Sequence, residues 1–241
     1  MIKLPDNSQS SPTTPIPIDS MGNFLACAVH DMKNSLTLLL DGLEKTLASA
    51  ETTSSPIYAE LSQANHEAKR INHHLIQLLT IYKLGQKTYP FDPQLIALED
   101  FLSALTAQFY NLLTLRKIHL EIYVDPKLYW YFDEELVAGA LSNAVNNAMR
   151  FTRDRIRISA EEIDGKLILR VEDNGSGYPD WLLHTHHHHT HDNGFQQSNT
   201  GLGLFFSSLV ARMHRNREYT GELILKNNCS LPGACFELRL P

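Results

Sequence analysis

The chain has 241 residues, 43% of them hydrophobic, and a formal net charge of -6. It is long enough to bury one or two cores, too acidic to offer the basic footprint that nucleic acid selects, and without the roughly 20-residue apolar run that crossing a bilayer requires. Three cysteines, Cys27, Cys229 and Cys235, show no metal-ligand spacing and leave one unpaired under any disulfide scheme, and the N-terminus lacks a charged-then-apolar signal pattern. The expectation is a soluble protein of a reducing cytoplasm, with no membrane insertion by this chain and no nucleic acid partner.

Residues 1–20, MIKLPDNSQSSPTTPIPIDS, are rich in Ser, Thr and Pro and have little to bury, which predicts a flexible leader and leaves no room for a sensory domain. Next, Leu25, Val29, Met32, Leu36, Leu39 and Leu43 recur at alternating steps of four and three, the spacing of a helix that packs along one seam. After the break SAETTSSP at 49–56, a second series runs through Ile57, Leu61, Ala64, Ala68, Ile71, Leu75, Leu78 and Tyr82. Two antiparallel helices with one apolar stripe each cannot cover their own seams. Pairing two such hairpins into a four-helix bundle does so, and predicts a homodimer.

GQKTYPFDP, residues 85–93, contains one Gly and two Pro and marks a domain boundary. Beyond it the pattern predicts a helix over about 94–115, the strand KIHLEIYV and a helix over about 133–151. RIRISAEEIDGKLILRVED alternates around an Asp-Gly turn and reads as a β-hairpin. A helix follows Gly203, and GELILKN and ACFELRL close the chain as strands. The whole is α+β: a two-helix hairpin over residues 21–86, then an α/β sandwich over 90–241 with a mixed sheet covered by helices on one face.

The sandwich carries three chemical motifs. In LSNAVNNAMRFT, Asn143 and Asn147 stand four apart on one helix face, where amide oxygens can join a Mg²⁺ shell while Arg150, one turn on, meets phosphate charge. In VEDNGSG, a strand-end acid opens Asp173-x-Gly175-x-Gly177, which permits close backbone approach to a flat ring whose amino group Asp173 accepts. In NTGLGLFFSSLVARMH, Gly201 and Gly203 open a helix whose free N–H groups attract phosphate. Each motif alone is also compatible with an ordinary surface helix or turn. The first domain adds AVHDMKNSL, with His30, Asp31, Lys33 and Asn34 on the wet side of a leucine-rich helix.

In order and spacing these motifs resemble the catalytic core of sensor histidine kinases. The asparagine box and two glycine boxes are similar to the family's GHKL-type ATP-binding domain, AVHDMKNSL to the H-D-x-K-N form of its phospho-acceptor box, and PGACFELRLP to its closing strand. The resemblance runs over roughly residues 20–241. It implies ATP and Mg²⁺ as cofactors, held by Asn143, Asn147, Arg150, Asp173, Gly175, Gly177, Thr200, Gly201 and Gly203, with Asn147 the metal ligand. His30 is then the nucleophile that takes the γ-phosphoryl group, with Asp31 accepting its proton. The phosphoryl group is expected to pass on to an aspartate of a response-regulator receiver domain, and Asn34, one turn beyond His30, to orient water in a phosphatase reaction on that regulator.

Two stretches depart from the family pattern. YPDWLLHTHHHHTHDNGFQQSN stands where a lid over the nucleotide belongs, yet holds six of the chain's twelve histidines within residues 184–191, and only Gly194-Phe195 is similar to the family's phenylalanine box. HRNREYTGEL replaces the histidine-glycine-glycine turn after the last helix. The alternative is a catalytically inactive phosphotransfer or scaffold protein with a degenerate ATP fold; another ATPase or serine kinase of the same nucleotide fold has no need of the H-D-x-K-N helix.

Overall fold

The computed structural model describes residues 18–48, 56–185, 201–217 and 219–241. The chain divides between Tyr82 and Lys83 into two compact units.

The first unit holds α1 (Ile18–Ala48) and most of α2 (Pro56–Gly85). Leu40 and Ala68 are buried, and Val29, Leu36, Leu43, Leu61 and Leu75 are half-buried. Met32, Leu39, Ile71 and Leu78, in contrast, remain 58%, 53%, 49% and 43% exposed. These exposed side chains recur every seventh residue, so each helix turns one row of its apolar stripe inward and shows the other to solvent. Lys69 Nζ of α2 lies 2.5 Å from a carboxylate oxygen of Glu44 on α1.

The second unit runs β1 (Gln94–Ala97), α3 (Leu98–Ala107), α4 (Tyr110–Leu115), β2 (His119–Val124), β3 (Tyr129–Phe132), α5 (Glu134–Phe151), β4 (Arg155–Ile163) and β5 (Lys166–Asp173). It continues with α6 (Asp180–Thr185), α7 (Gly201–Met213), β6 (Arg215–Asn216), β7 (Tyr219–Thr220), β8 (Glu222–Asn227) and β9 (Ala234–Leu240). The main sheet has the order β2-β4-β5-β9-β8, parallel between β2 and β4 and antiparallel elsewhere. Asp164 and Gly165, with φ of 52° and 71°, form the β4–β5 turn, since only residues tolerant of the left-handed region suit a two-residue hairpin connection. α5 starts where Asp133, in extended conformation, accepts a 3.0 Å bond from the Leu136 N–H, and Glu134 and Glu135 meet the positive end of its dipole.

Alternation then sorts the sheet into two unlike faces. Ile156, Ile158, Leu167, Leu169, Val171, Phe236, Leu238 and Leu240 are buried on the side that α5 and α7 cover. The other side carries ion pairs. At its centre Glu237, fully buried, accepts from Arg170 Nε at 2.6 Å, Arg239 Nε at 2.7 Å and Lys226 Nζ at 2.9 Å. Burial pushes this carboxyl up, but the three cationic donors prevail and bring it down to about 2.

One stretch folds differently from the sequence expectation. Residues 94–115 do not form one helix: Gln94–Ala97 pair as a strand with Tyr129–Phe132, and the rest splits into α3 and α4 around Phe109. The short run Leu95-Ile96-Ala97-Leu98 satisfies either period, so pairing with β3, itself absent from the expectation, decides the outcome. α7 also takes in both glycines rather than following Gly203.

His214 ties three segments together. Its Nε2 accepts from the Asp133 N–H at 3.0 Å, so the proton sits on Nδ1, which donates to Val210 O at 2.8 Å. Asp133 in turn receives the Tyr89 hydroxyl at 3.3 Å and the Asp92 N–H at 3.2 Å, while Phe91 packs edge-on against the imidazole at 5.1 Å. Burial lowers the pKa of the ring below its ordinary 6.5, against the opposing effects of the Val210 bond and the Asp133 charge. A group whose folded pKa is depressed stabilises fully above its unfolded value, and that stability is lost as pH falls through the folded pKa. The thermal midpoint is therefore expected to fall as pH drops below about 6.5, and His214→Gln to flatten that slope, as measured by calorimetry at several pH values.

Candidate nucleotide-binding site

A cavity of about 700 Å³ opens beside the end of β5, within the range that small-molecule sites occupy. Ala144, Ala148, Val171, Leu204 and Ala234 give it an apolar floor, and the turn from Ser176 to Leu182 forms one wall. Asn147 and Arg150 of α5 edge it, the Arg150 guanidinium lying 5.3 Å from the centre of the Phe151 ring.

Asp173 is the one buried carboxylate in this wall. Its Oδ1 accepts from the Gly175 N–H at 2.7 Å and the Ala234 N–H at 3.4 Å; among the described residues, no hydrogen bond falls on Oδ2. Burial raises the pKa of Asp173 above the ordinary carboxylate value, and the two N–H groups pull it partly back. An apolar slot with one aimed acceptor suits a flat heterocycle carrying an amino group.

The backbone around Asp173 is too close for side chains. A methyl group at position 175 would stand 2.1 Å from the Phe151 carbonyl oxygen, and one at 233 would stand 2.4 Å from the Asp173 carbonyl oxygen. Gly177 has φ of +80°, and Asn227 clamps the residue after it, accepting from the Tyr178 N–H at 2.7 Å and donating to Tyr178 O at 2.8 Å. Asn174 braces the other side: its Oδ1 accepts from the N–H groups of Arg153, Asp154 and Arg155 at 3.1–3.2 Å, fixing the exit from α5.

The sequence-derived residues thus take different positions. Asn147, Arg150, Asp173 and Gly177 line the cavity. Gly175 lies behind Asp173. Asn143 is buried and donates to Gly203 O at 3.2 Å, where the Ser207 hydroxyl also donates, so it joins α5 to α7. Gly201 and Gly203 are buried at the start of α7. Thr200, Gly194-Phe195 and the histidines from 186 to 191 lie outside the described residues. Phe151, Leu204 and Ala234 complete the wall without having been expected as site residues, as do the supports Asn227 and Gly233, whereas Tyr178 and Trp181 open the stretch expected as a lid.

In the first unit, His30 lies within α1 directly after half-buried Val29, and Asp31 and Asn34 are exposed. The helix runs on unbroken through this region, with the Ser35 hydroxyl donating to Asp31 O at 3.0 Å. Among the described residues no helix is long and apolar enough to cross a membrane.

Residues 132–241 match the family described as "Histidine kinase-, DNA gyrase B-, and HSP90-like ATPase", which makes this part of the chain an ATPase-type domain of that class. Over 225 residues the chain is 27% identical to "Sensor histidine kinase RppB" of Synechocystis sp. (strain ATCC 27184 / PCC 6803 / Kazusa), covering 90% of this chain and 48% of RppB. It thus spans about half the length of that relative. Two solved structures share the fold: Acinetobacter baumannii histidine kinase AdeS, with a TM-score of 0.56 at 17% identity over 88% of this chain and 96% of that one, and full-length ShkA in complex with AMPPNP, with 0.63 at 18% over 91% and 46%. Over most of its length the chain is similar to sensor histidine kinases, and residues 132–241 of its second unit match the ATPase family named above.

Gly175→Ala is expected to destabilise the protein by at least about 2 kcal/mol, because the new methyl group meets rigid backbone on one side and Asp173 Oδ1 on the other. A urea melt compared with wild type measures it.

Proposed function

We propose that this chain is an ATP-dependent protein histidine kinase that phosphorylates itself on His30 and passes the phosphoryl group to an aspartate of a response-regulator receiver domain. The observation that carries this reading is Asp173, buried over an apolar slot with Oδ2 unbonded among the described residues, in a chain whose α1 bears His30-Asp31-Met32-Lys33-Asn34. In this reading residues 21–86 are the dimerisation and phosphotransfer domain and residues 90–241 the catalytic domain.

ATP is the phosphoryl donor. Asp173 Oδ2 accepts from the adenine amino group while Ala144, Val171, Leu204 and Ala234 exclude water from the ring. Arg150 and the N-terminal end of α7 supply positive charge and free N–H groups for the phosphates. The amide oxygen of Asn147 is the protein ligand available to Mg²⁺, which commonly takes only one or two from protein and the rest from phosphate and water; when bound, the ion neutralises charge on the transferring group. Asn143 and the glycines act by positioning these groups.

At the acceptor, one imidazole nitrogen of His30 attacks the γ-phosphorus as the bond to the leaving ADP breaks. Asp31 takes the proton from the other nitrogen, so the phosphorylated ring ends neutral. Asn34, one helical turn on, presents an amide that orients water toward the acyl phosphate of the regulator, giving the kinase a phosphatase activity as well.

The exposed rows Met32–Leu39 and Ile71–Leu78 support a homodimer. Apolar side chains repeating every seventh residue on both helices are what a second hairpin would cover to make a four-helix bundle.

Incubation with γ-labelled ATP and Mg²⁺ is expected to give an acid-labile, base-stable label on wild type. His30→Ala is expected to abolish the label while nucleotide binding persists; equal labelling of the two proteins rejects the acceptor. Asp173→Asn is expected to weaken nucleotide binding at least about tenfold, equivalent to about 1.4 kcal/mol, as measured with a fluorescent ATP analogue. Asn34→Ala is expected to leave labelling nearly unchanged and to slow loss of phosphate from the regulator. Leu39→Lys is expected to shift the protein from dimer to monomer in sedimentation velocity, because it places a charge within the uncovered row.

A further inference from the structure

We propose that Glu172, Cys229 and Cys235 form a binding site for a thiophilic transition-metal ion of the Zn²⁺ class, on the sheet face opposite the nucleotide cavity. The fold brings Glu172 of β5 together with two cysteines that stand six residues apart at the start of β9 and in the turn before it. Strand alternation turns Asp173 toward the helices and its neighbour Glu172 toward the open face, where the β5–β9 register sets it beside Cys235. The turn from β8 to β9, closed by a 3.0 Å bond from the Asn228 N–H to Gly233 O, brings Cys229 back over the same point. One ligand atom from each residue, two sulfurs and an oxygen, lies within 4.8 Å of the other two.

The donor set and its setting both fit such an ion. Tetrahedral Zn²⁺, with Zn–S near 2.3 Å, holds its donors about 3.5–3.8 Å apart, so closure needs a movement of only about 1 Å. Cys229 lies in the exposed turn and can supply it, while Cys235 and Glu172 are buried in the ladder and stay fixed. Glu172 is already oriented: Oε1 accepts from the Ser230 N–H at 2.6 Å and the Leu231 N–H at 3.3 Å, leaving Oε2 for the ion, the kind of outer hydrogen bonding that aims a metal-ligating carboxylate. Two thiolates select Zn²⁺, Cd²⁺ or Cu⁺ over Mg²⁺ and Ca²⁺, which prefer oxygen. The exposed side at Cys229 leaves a fourth position to water. Binding releases the two thiol protons to solvent and forms two metal–sulfur bonds, without oxidation of either sulfur.

Co²⁺ is the probe, because thiolate ligation gives a near-ultraviolet sulfur-to-cobalt charge-transfer band that histidine nitrogens cannot produce; the histidines at 184–191 compete for the ion but add nothing to the band. The reduced full-length protein, handled without oxygen, is expected to develop this band to saturation in a Co²⁺ titration, at an intensity equivalent to one thiolate-bound ion per chain, and to lose it when excess Zn²⁺ is added. Cys229→Ser is expected to abolish the band and Cys27→Ser to retain it. Glu172→Gln, whose amide oxygen can still accept from Ser230 and Leu231, is expected to keep the fold by circular dichroism and weaken Co²⁺ binding at least tenfold. The proposal is overturned if wild type with both thiols reduced shows no charge-transfer band, if the band survives in Cys229→Ser, or if Glu172→Gln binds Co²⁺ as tightly as wild type.

Discussion

The bond from the Gly175 N–H to Asp173 Oδ1 is the constraint on which the nucleotide side of this domain depends. It holds a buried carboxylate in one orientation at a strand end, and a second donor, the Ala234 N–H, comes from the neighbouring strand. Two short approaches make that possible, at Gly175 and Gly233, where the backbone passes so near Phe151 and Asp173 that only a hydrogen fits. The glycines of this region therefore serve the geometry of a single oxygen atom. Asn174 and Asn227 then fix the turn on either side of it, so the cavity wall is held by side-chain amides as well as by the sheet.

The sheet that carries this site is stabilised by different physics on its two faces. Under α5 and α7, aliphatic and aromatic side chains are removed from water, each burial being worth about 1.5–3 kcal/mol. On the open face Glu237 collects three cationic donors, an arrangement in which desolvation opposes attraction and the gain lies mainly in specifying the pairing. The ladder positions of Arg170, Arg239 and Lys226 permit only one register to bring all three to one carboxylate. Register in turn decides that Asp173, and not Glu172, faces the cavity.

Local signals made much of this legible in the sequence. The heptads of the first unit mark two helices because their period is sustained for many turns, and the Asp-Gly pair marks the β4–β5 hairpin because few residues accept positive φ. Asp173 and the glycines near it stood out through their spacing. What sequence could not give was anything decided by a distant partner. Gln94–Ala97 is a strand only because Tyr129–Phe132 pairs with it, and Asn143, on the same helix face as Asn147, is drawn under α7 by the Gly203 carbonyl. Cys229 and Cys235 looked unrelated to any acid because Glu172 is more than fifty residues away along the chain and adjacent only across the ladder.

The turn between β8 and β9 touches both faces at once. Ser230 and Leu231 donate to Glu172 on the open side, and three residues on from Leu231 the Ala234 N–H donates to Asp173 on the cavity side. Consecutive strand residues point in opposite directions, so this one connection, with the first residue of β9, supplies backbone donors to the acids of both faces at the end of β5. The two acids thus share one support, and the donors of Glu172 and of Asp173 stand within five residues of each other along the chain. Thermodynamic reciprocity sets the terms of any coupling through that support: if occupancy on one face changes affinity on the other by some factor, the reverse effect has the same size.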